Sequence, residues 1–223
     1  MTASLWDEVA DGARRESPLW AAALRPEEER ELEPIFSPLG NERRALGVET
    51  IYEGYLLHYG RPRLFAPPAP EDALLLGDYL YAHGLVRVAE LHDVTAVADL
   101  AALISICAQL RAEGAGGDGA AWAATAALAG ENGLGAARDA LRLRGDSEPL
   151  LALARGEAGD NAVDGALSAH RRGRAREAAP SRRVGAAHHV RRRGRSRPQA
   201  PPLPPRPLRR HPRPRHAVAH RSR

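Results

Sequence analysis

The sequence predicts an all-α protein, and three observations carry that prediction. No stretch alternates apolar and polar residues over the length of a strand. Apolar residues recur instead at steps of three and four, most fully at Val97, Leu100, Ile104 and Cys107. Clusters of proline and glycine cut the chain into pieces of helix length.

Leu5, Trp6 and Val9 give a short N-terminal helix, and "SPLWAAALRP" gives a second that starts at Pro18 and ends by Pro26. "PEEERELEPIFSPLG" begins as a charged helix, which Pro34, Pro38 and Gly40 break. A helix over 42–59 is closed by Gly60 and Pro62, and "PRLFAPPAP" is a proline-stiffened connection. Residues 71–90 are apolar on nearly all sides, which predicts the central buried helix. The next helix, over 94–111, widens its stripe with Leu103, Ile106 and Leu110 and stops at "EGAGGDG". Residues 120–129 and 134–143 read as alanine-rich helices, and 149–155 as a weaker one. The helical domain is thus expected over 1–168.

Composition narrows the class. The single cysteine, Cys107, excludes an internal disulfide framework and a cysteine-built zinc site, and points to a reducing compartment. The N-terminus "MTASLWDEVADGARRE" has no apolar run and does not read as a secretory signal. No stretch reaches the roughly 20 uninterrupted apolar residues of a spanning helix, so no transmembrane segment and a cytoplasmic location are expected.

The net charge of +4 conceals a split. From Arg171 onward 18 arginines face one acid, Glu177, for +17, while residues 1–170 hold 14 arginines and 27 acids, for −13. Residues 169–223 form an Arg/Pro-rich tail that carries nine of the 18 prolines, cannot bury a core and is expected to be disordered. Such an arm can neutralise nucleic-acid phosphates, but without interleaved aromatics it would bind blind to sequence. The other reading, which composition favours, is an out-of-frame translation: the chain has no lysine and is saturated with Ala, Arg, Gly and Pro, as a GC-rich gene gives.

One stretch raises a chemical question. "ALLLGDYLYAHGL" sets Asp78 among leucines and tyrosines, and a buried carboxylate needs a partner. Arg43, Arg44, Arg87 and Tyr55 are candidates. Upstream, "ETIYE" places Glu49 and Glu53 four apart, on one face of a helix. Two carboxylates so placed can share a magnesium ion that also holds a diphosphate, or they can be a solvated face beside Arg43 or Arg44. "DNAVD" repeats the spacing at Asp160 and Asp164.

A carboxylate-bearing helix, a basic-Gly-x-Pro turn ("HYGRPRLF") and an apolar helix containing "GD" occur in this order. The order resembles the trans-polyprenyl diphosphate synthases, an all-α family whose DDxxD motif precedes an RRGxPT-like turn and an "LAGDxLL" helix. The resemblance covers about residues 45–114 and implies part of the isoprenoid synthase fold. It places Glu49 and Glu53 at the DDxxD position, as ligands of Mg2+ if a substrate is bound. It also makes His58, Arg61, Tyr79 and His83 contacts to an isoprenoid diphosphate or walls of its cavity, and Gly77 and Asp78 structural.

The departures are large. Thr50 replaces the middle aspartate, His58 and Tyr59 replace the basic pair, and "DNAVD" lies closer to Asp78 than the family places its second motif. In this the chain is similar to the small non-catalytic subunits of heterodimeric prenyl synthases, such as component 1 of heptaprenyl diphosphate synthase. That likeness implies an accessory or regulatory subunit in isoprenoid or quinone side-chain synthesis, partnered by a catalytic prenyl synthase chain. Two alternatives stand beside it. One is a truncated Mg-dependent prenyltransferase, and the other is an acidic helical domain with a nucleic-acid-binding arm.

Overall fold

The structure is a computed structural model that describes residues 4–174. Among these residues it is mostly helical, with no strand: α1 (Leu5–Glu16), α2 (Pro18–Ala22), α3 (Ala45–Tyr59), α4 (Pro70–Ala89), α5 (Val94–Ala112), α6 (Asp118–Leu128), α7 (Leu134–Arg144), α8 (Glu148–Ala158) and α9 (Asp160–Arg174). The β pairing among them is an isolated bridge between Leu24 and Phe65.

Local chemistry sets most boundaries. Ser4 caps α1 in a reciprocal box with Asp7, Ser17 caps α2 ahead of Pro18, and Asp93 caps α5 through the Ala96 amide. The charged helix expected after Pro26 is reduced to one 3-10 turn, Glu27–Glu29, followed by extended chain. Leu32 alone gives that stretch too little apolar surface to hold a helix against a neighbour. Its backbone is held by Arg63 instead, whose carbonyl accepts from Glu31 N and whose guanidinium donates to Glu33 O.

The central helix is α3, not α4. Every residue of α3 from Gly47 to Leu57 is buried, whereas Leu74, Leu75 and Val86 of α4 are exposed. The aromatic core gathers on α3: Tyr52 packs with Phe36, Trp122 of α6 and His170 of α9, and Tyr55 with Trp122 and His170, at ring-centroid distances of 4.9–5.8 Å. A second apolar cluster joins Trp6 and Val9 of α1 to Leu64, Phe65, Leu76 and Leu80.

Glycines let α3 and α4 touch backbone to backbone. A Cβ on Gly84 would stand 2.9 Å from Gly47 O and 2.5 Å from Ile51 Cγ1, and one on Gly54 would stand 2.9 Å from Gly77 O. Gly47 faces Gly84 and Gly54 faces Gly77, so the two helices run antiparallel with a matched seven-residue spacing. Gly60 serves the same purpose elsewhere. It lets Arg61 N donate to Gly173 O at 2.8 Å, which ties the end of α3 to α9.

The C-terminal boundary differs from the expected one at residue 168. α9 runs to Arg174, and its buried stripe is Val163, Ala166 and His170. The stripe was illegible as apolar because its last member is a histidine. The remainder of the expected disordered tail, residues 175–223, lies outside the described residues.

Candidate functional site

The carboxylates of "ETIYE" do share a face of α3, but that face is turned into the protein. Glu49 and Glu53 are both fully buried, and between them lies Arg63, itself buried. Arg63 Nε donates to Glu53 Oε2 at 3.2 Å, and its Nη1 stands 2.9 Å from Glu49 Oε2. Glu49 Oε1 accepts from the backbone amides of Ile35, Phe36 and Ser37 at 2.9–3.0 Å, and Glu53 Oε1 accepts from Leu64 N at 2.7 Å. The Arg63 guanidinium also lies over the rings of Trp6 and Tyr52, 4.5 and 4.9 Å from their centroids. Burial works against its charge, yet Glu49 and Glu53 hold its pKa above the ordinary arginine value.

This geometry does not fit the magnesium site that the resemblance implies, nor the solvated face that the spacing also allowed. Magnesium keeps several waters and needs carboxylate oxygens open to them, whereas these oxygens face a guanidinium and four amides in the dry core. Among the described residues no group of three or more His, Cys, Asp and Glu side chains is arranged to hold a metal. Asp160 and Asp164 are exposed and face Arg155 at 3.5 and 3.1 Å.

A second buried cluster, not legible in the sequence, surrounds Asp118 at the first turn of α6. Arg174 Nη1 donates to Asp118 Oδ1 at 2.7 Å, the Tyr55 hydroxyl donates to Oδ2, and Arg111 Nη2 lies 3.3 Å from Oδ2. His170 Nε2 stands 3.5 Å from Oδ2, while its Nδ1 meets the Tyr52 hydroxyl at 3.0 Å. Burial disfavours charge on Asp118, but His170, Tyr55 and Arg174 outweigh it and hold the carboxyl well below the usual range. Burial pushes the Tyr52 and Tyr55 phenols and the Cys107 thiol upward, and it lowers His170 despite the nearby carboxylate. The cluster locks α3, α5, α6 and α9 together.

The remaining predicted residues fall in three places. His58 is half-buried at the end of α3, with Nε2 3.2 Å from Asp78 Oδ1. Burial lowers its pKa more than Asp78 raises it. Asp78 is therefore exposed rather than buried, and its partner is His58, none of the four candidates named from the sequence. Gly77 gives the His58 ring its room, since a Cβ there would lie 2.6 Å from Nε2. Arg61 is on the surface, ion-paired with Glu31, and borders a 330 Å³ cavity with Arg63 and Arg172. Tyr79 stacks on Trp20 and His83, on the side of α4 that faces α1 and α2. His58 also lines a 450 Å³ cavity with Tyr59, Ala108, Arg111 and Ala112. His58, Arg61, Tyr79 and His83 do not converge on one cavity.

No protein-family model matches the chain, and no curated protein or solved structure matches it significantly. The likeness to prenyl synthases rests on the motif order within the sequence alone.

Arg63, like the Asp118 cluster, was not foreseen from the sequence. It sits in the quoted turn "HYGRPRLF", directly before Leu64 and Phe65. An arginine entering an apolar pair, ten residues after one glutamate and fourteen after another, is the signal that could have found it.

Proposed function

We propose that the protein is a degenerate polyprenyl diphosphate synthase-like chain that acts as a non-catalytic, accessory subunit of a heterodimeric prenyl synthase. The observation that carries this reading is the neutralisation of Glu49 and Glu53 by Arg63. At the position where the resemblance would put magnesium ligands, this chain holds a core ion pair. Such a chain can contribute surface and shape to a catalytic partner, but it lacks the charge that would draw off a diphosphate leaving group. The truncated-synthase reading needs that same pair open to water and so loses its main support. The nucleic-acid reading rests on the basic end, most of which lies outside the described residues.

The test is reconstitution. The full chain is co-expressed with the catalytic prenyl synthase from the same genome, and chain elongation from an allylic diphosphate and isopentenyl diphosphate is followed with magnesium. The expected result is no product from this chain alone, and a change in activity or product length when the two are combined. Magnesium-dependent condensation by this polypeptide alone would overturn the reading.

A further inference from the structure

Two helices at the surface carry unpartnered faces. Along α4 and its C-cap, Glu71, Leu75, Asp78, Ala82, Val86 and Glu90 follow one another at steps of three and four and are all exposed, Leu75 at 57% and Val86 at 52%. Along α5, Val94, Ala98, Ser105, Ala108 and Ala112 are exposed and Ala101 between them is half-buried, a stripe without a single charge in which Val94 is 80% exposed. By length and composition α5 could cross a membrane, yet only 33% of its most apolar window is buried. Its inner side supplies Leu100, Leu103, Ile106, Cys107 and Leu110 to the core, so the outer stripe is additional apolar surface.

The surface has relief. The α5 stripe stands between two hollows: the 450 Å³ cavity by His58 and Arg111, and a 370 Å³ cavity lined by Ile106, Gln109, Arg138 and Arg142. A low ridge of alanine and serine between two hollows admits another helix closely and receives its larger side chains on either side. Apart from Val94 the ridge is alanine and serine, with no aromatic side chain to enter lipid, and the neighbouring α4 stripe is acidic, so a protein fits this face better than a bilayer.

The charge pattern selects among proteins. The α4 stripe carries three acids and no base; Asp78 meets only His58, and Glu71 and Glu90 have no ion-pair partner within the described residues. A symmetric contact that laid this stripe on its own copy would set like charges together. We infer that the outer face of α4 and α5 is the docking surface for a different chain. The partner is helical, apolar at its centre and basic where it faces α4. In the accessory-subunit reading, on which this inference rests, that chain is the catalytic prenyl synthase.

The experiment measures binding of the full chain to the purified catalytic synthase by isothermal titration calorimetry at low and high salt. It compares the wild type, the ridge variant A98E/S105E and the control A152E, which is exposed on α8. Circular dichroism confirms that each folds, since all three positions lie outside the core. The ridge variant is expected to weaken binding by about 30-fold or more, the size of one interface hot spot, while A152E binds as wild type and added salt weakens the complex. A complex that forms and ignores A98E/S105E would overturn the surface assignment and leave the accessory reading intact. No complex with the wild type would overturn both. Self-association of the wild type by light scattering, or sedimentation with phosphatidylcholine vesicles, would overturn the choice of partner if A98E/S105E abolished it.

Discussion

Replacing Arg63 with methionine removes the one cation between two fully buried carboxylates and keeps most of the side chain's bulk. Breaking a buried ion pair by deleting one member costs about 3–5 kcal/mol, because the other member is left uncompensated. Loss of the guanidinium over Trp6 and Tyr52 adds about 1 kcal/mol. The sum, about 4–6 kcal/mol, is a large share of the roughly 5–15 kcal/mol that holds a domain together. Urea denaturation followed by circular dichroism at pH 7.5 should therefore show R63M largely unfolded or with its midpoint sharply reduced. The triple variant E49Q/E53Q/R63M, which removes all three charges, should regain much of the loss. An R63M protein within about 1 kcal/mol of wild type would mean that the two carboxylates are hydrated, as magnesium ligands are, and would refute the core ion pair and the functional reading built on it.

Three further perturbations test the packing and the second cluster. The pKa of His170 lies below its ordinary 6.5, so the unfolded chain takes up the proton first. The stability His170 lends is complete above about pH 6.5 and is lost on acidification; thermal melts from pH 7.5 to 5 should show this loss, and it should shrink in H170N. Asp118 is also shifted down, which for an acid favours the charged form, so its contribution is present above about pH 4 and lost below; D118N should cost about 3 kcal/mol at pH 7 and flatten that acid limb. Gly84→Ala forces a Cβ onto Gly47 O and should destabilise by about 1 kcal/mol or more, even though alanine favours a helix. Gly135→Ala on α7 meets no atom within 4 Å and should stabilise by about 0.5–1 kcal/mol, measured by the same denaturation.

The sequence by itself determined most of the helices, α9 and the stretch after Pro26 excepted, because their signals are local. Ser4, Ser17 and Asp93 cap within three residues, Pro18, Gly60 and Pro62 punctuate where they stand, and apolar steps of three and four mark α5 directly. It also put Glu49 and Glu53 on one face. Which way that face turned was not local information. A pair of glutamates four apart looks the same whether it meets water, a metal or an arginine, and the answer came from Arg63, brought in by the turn after α3. The same holds for depth. The apolar composition of α4 suggested the centre of the bundle, but the glycine contact places it against only one side of α3 and leaves Leu75 and Val86 outside. The Asp118 cluster joins Tyr55 across 63 residues and, through His170, Tyr52 across 118. Interactions at such separations depend on the whole fold bringing the groups together, so only the tertiary structure could decide them.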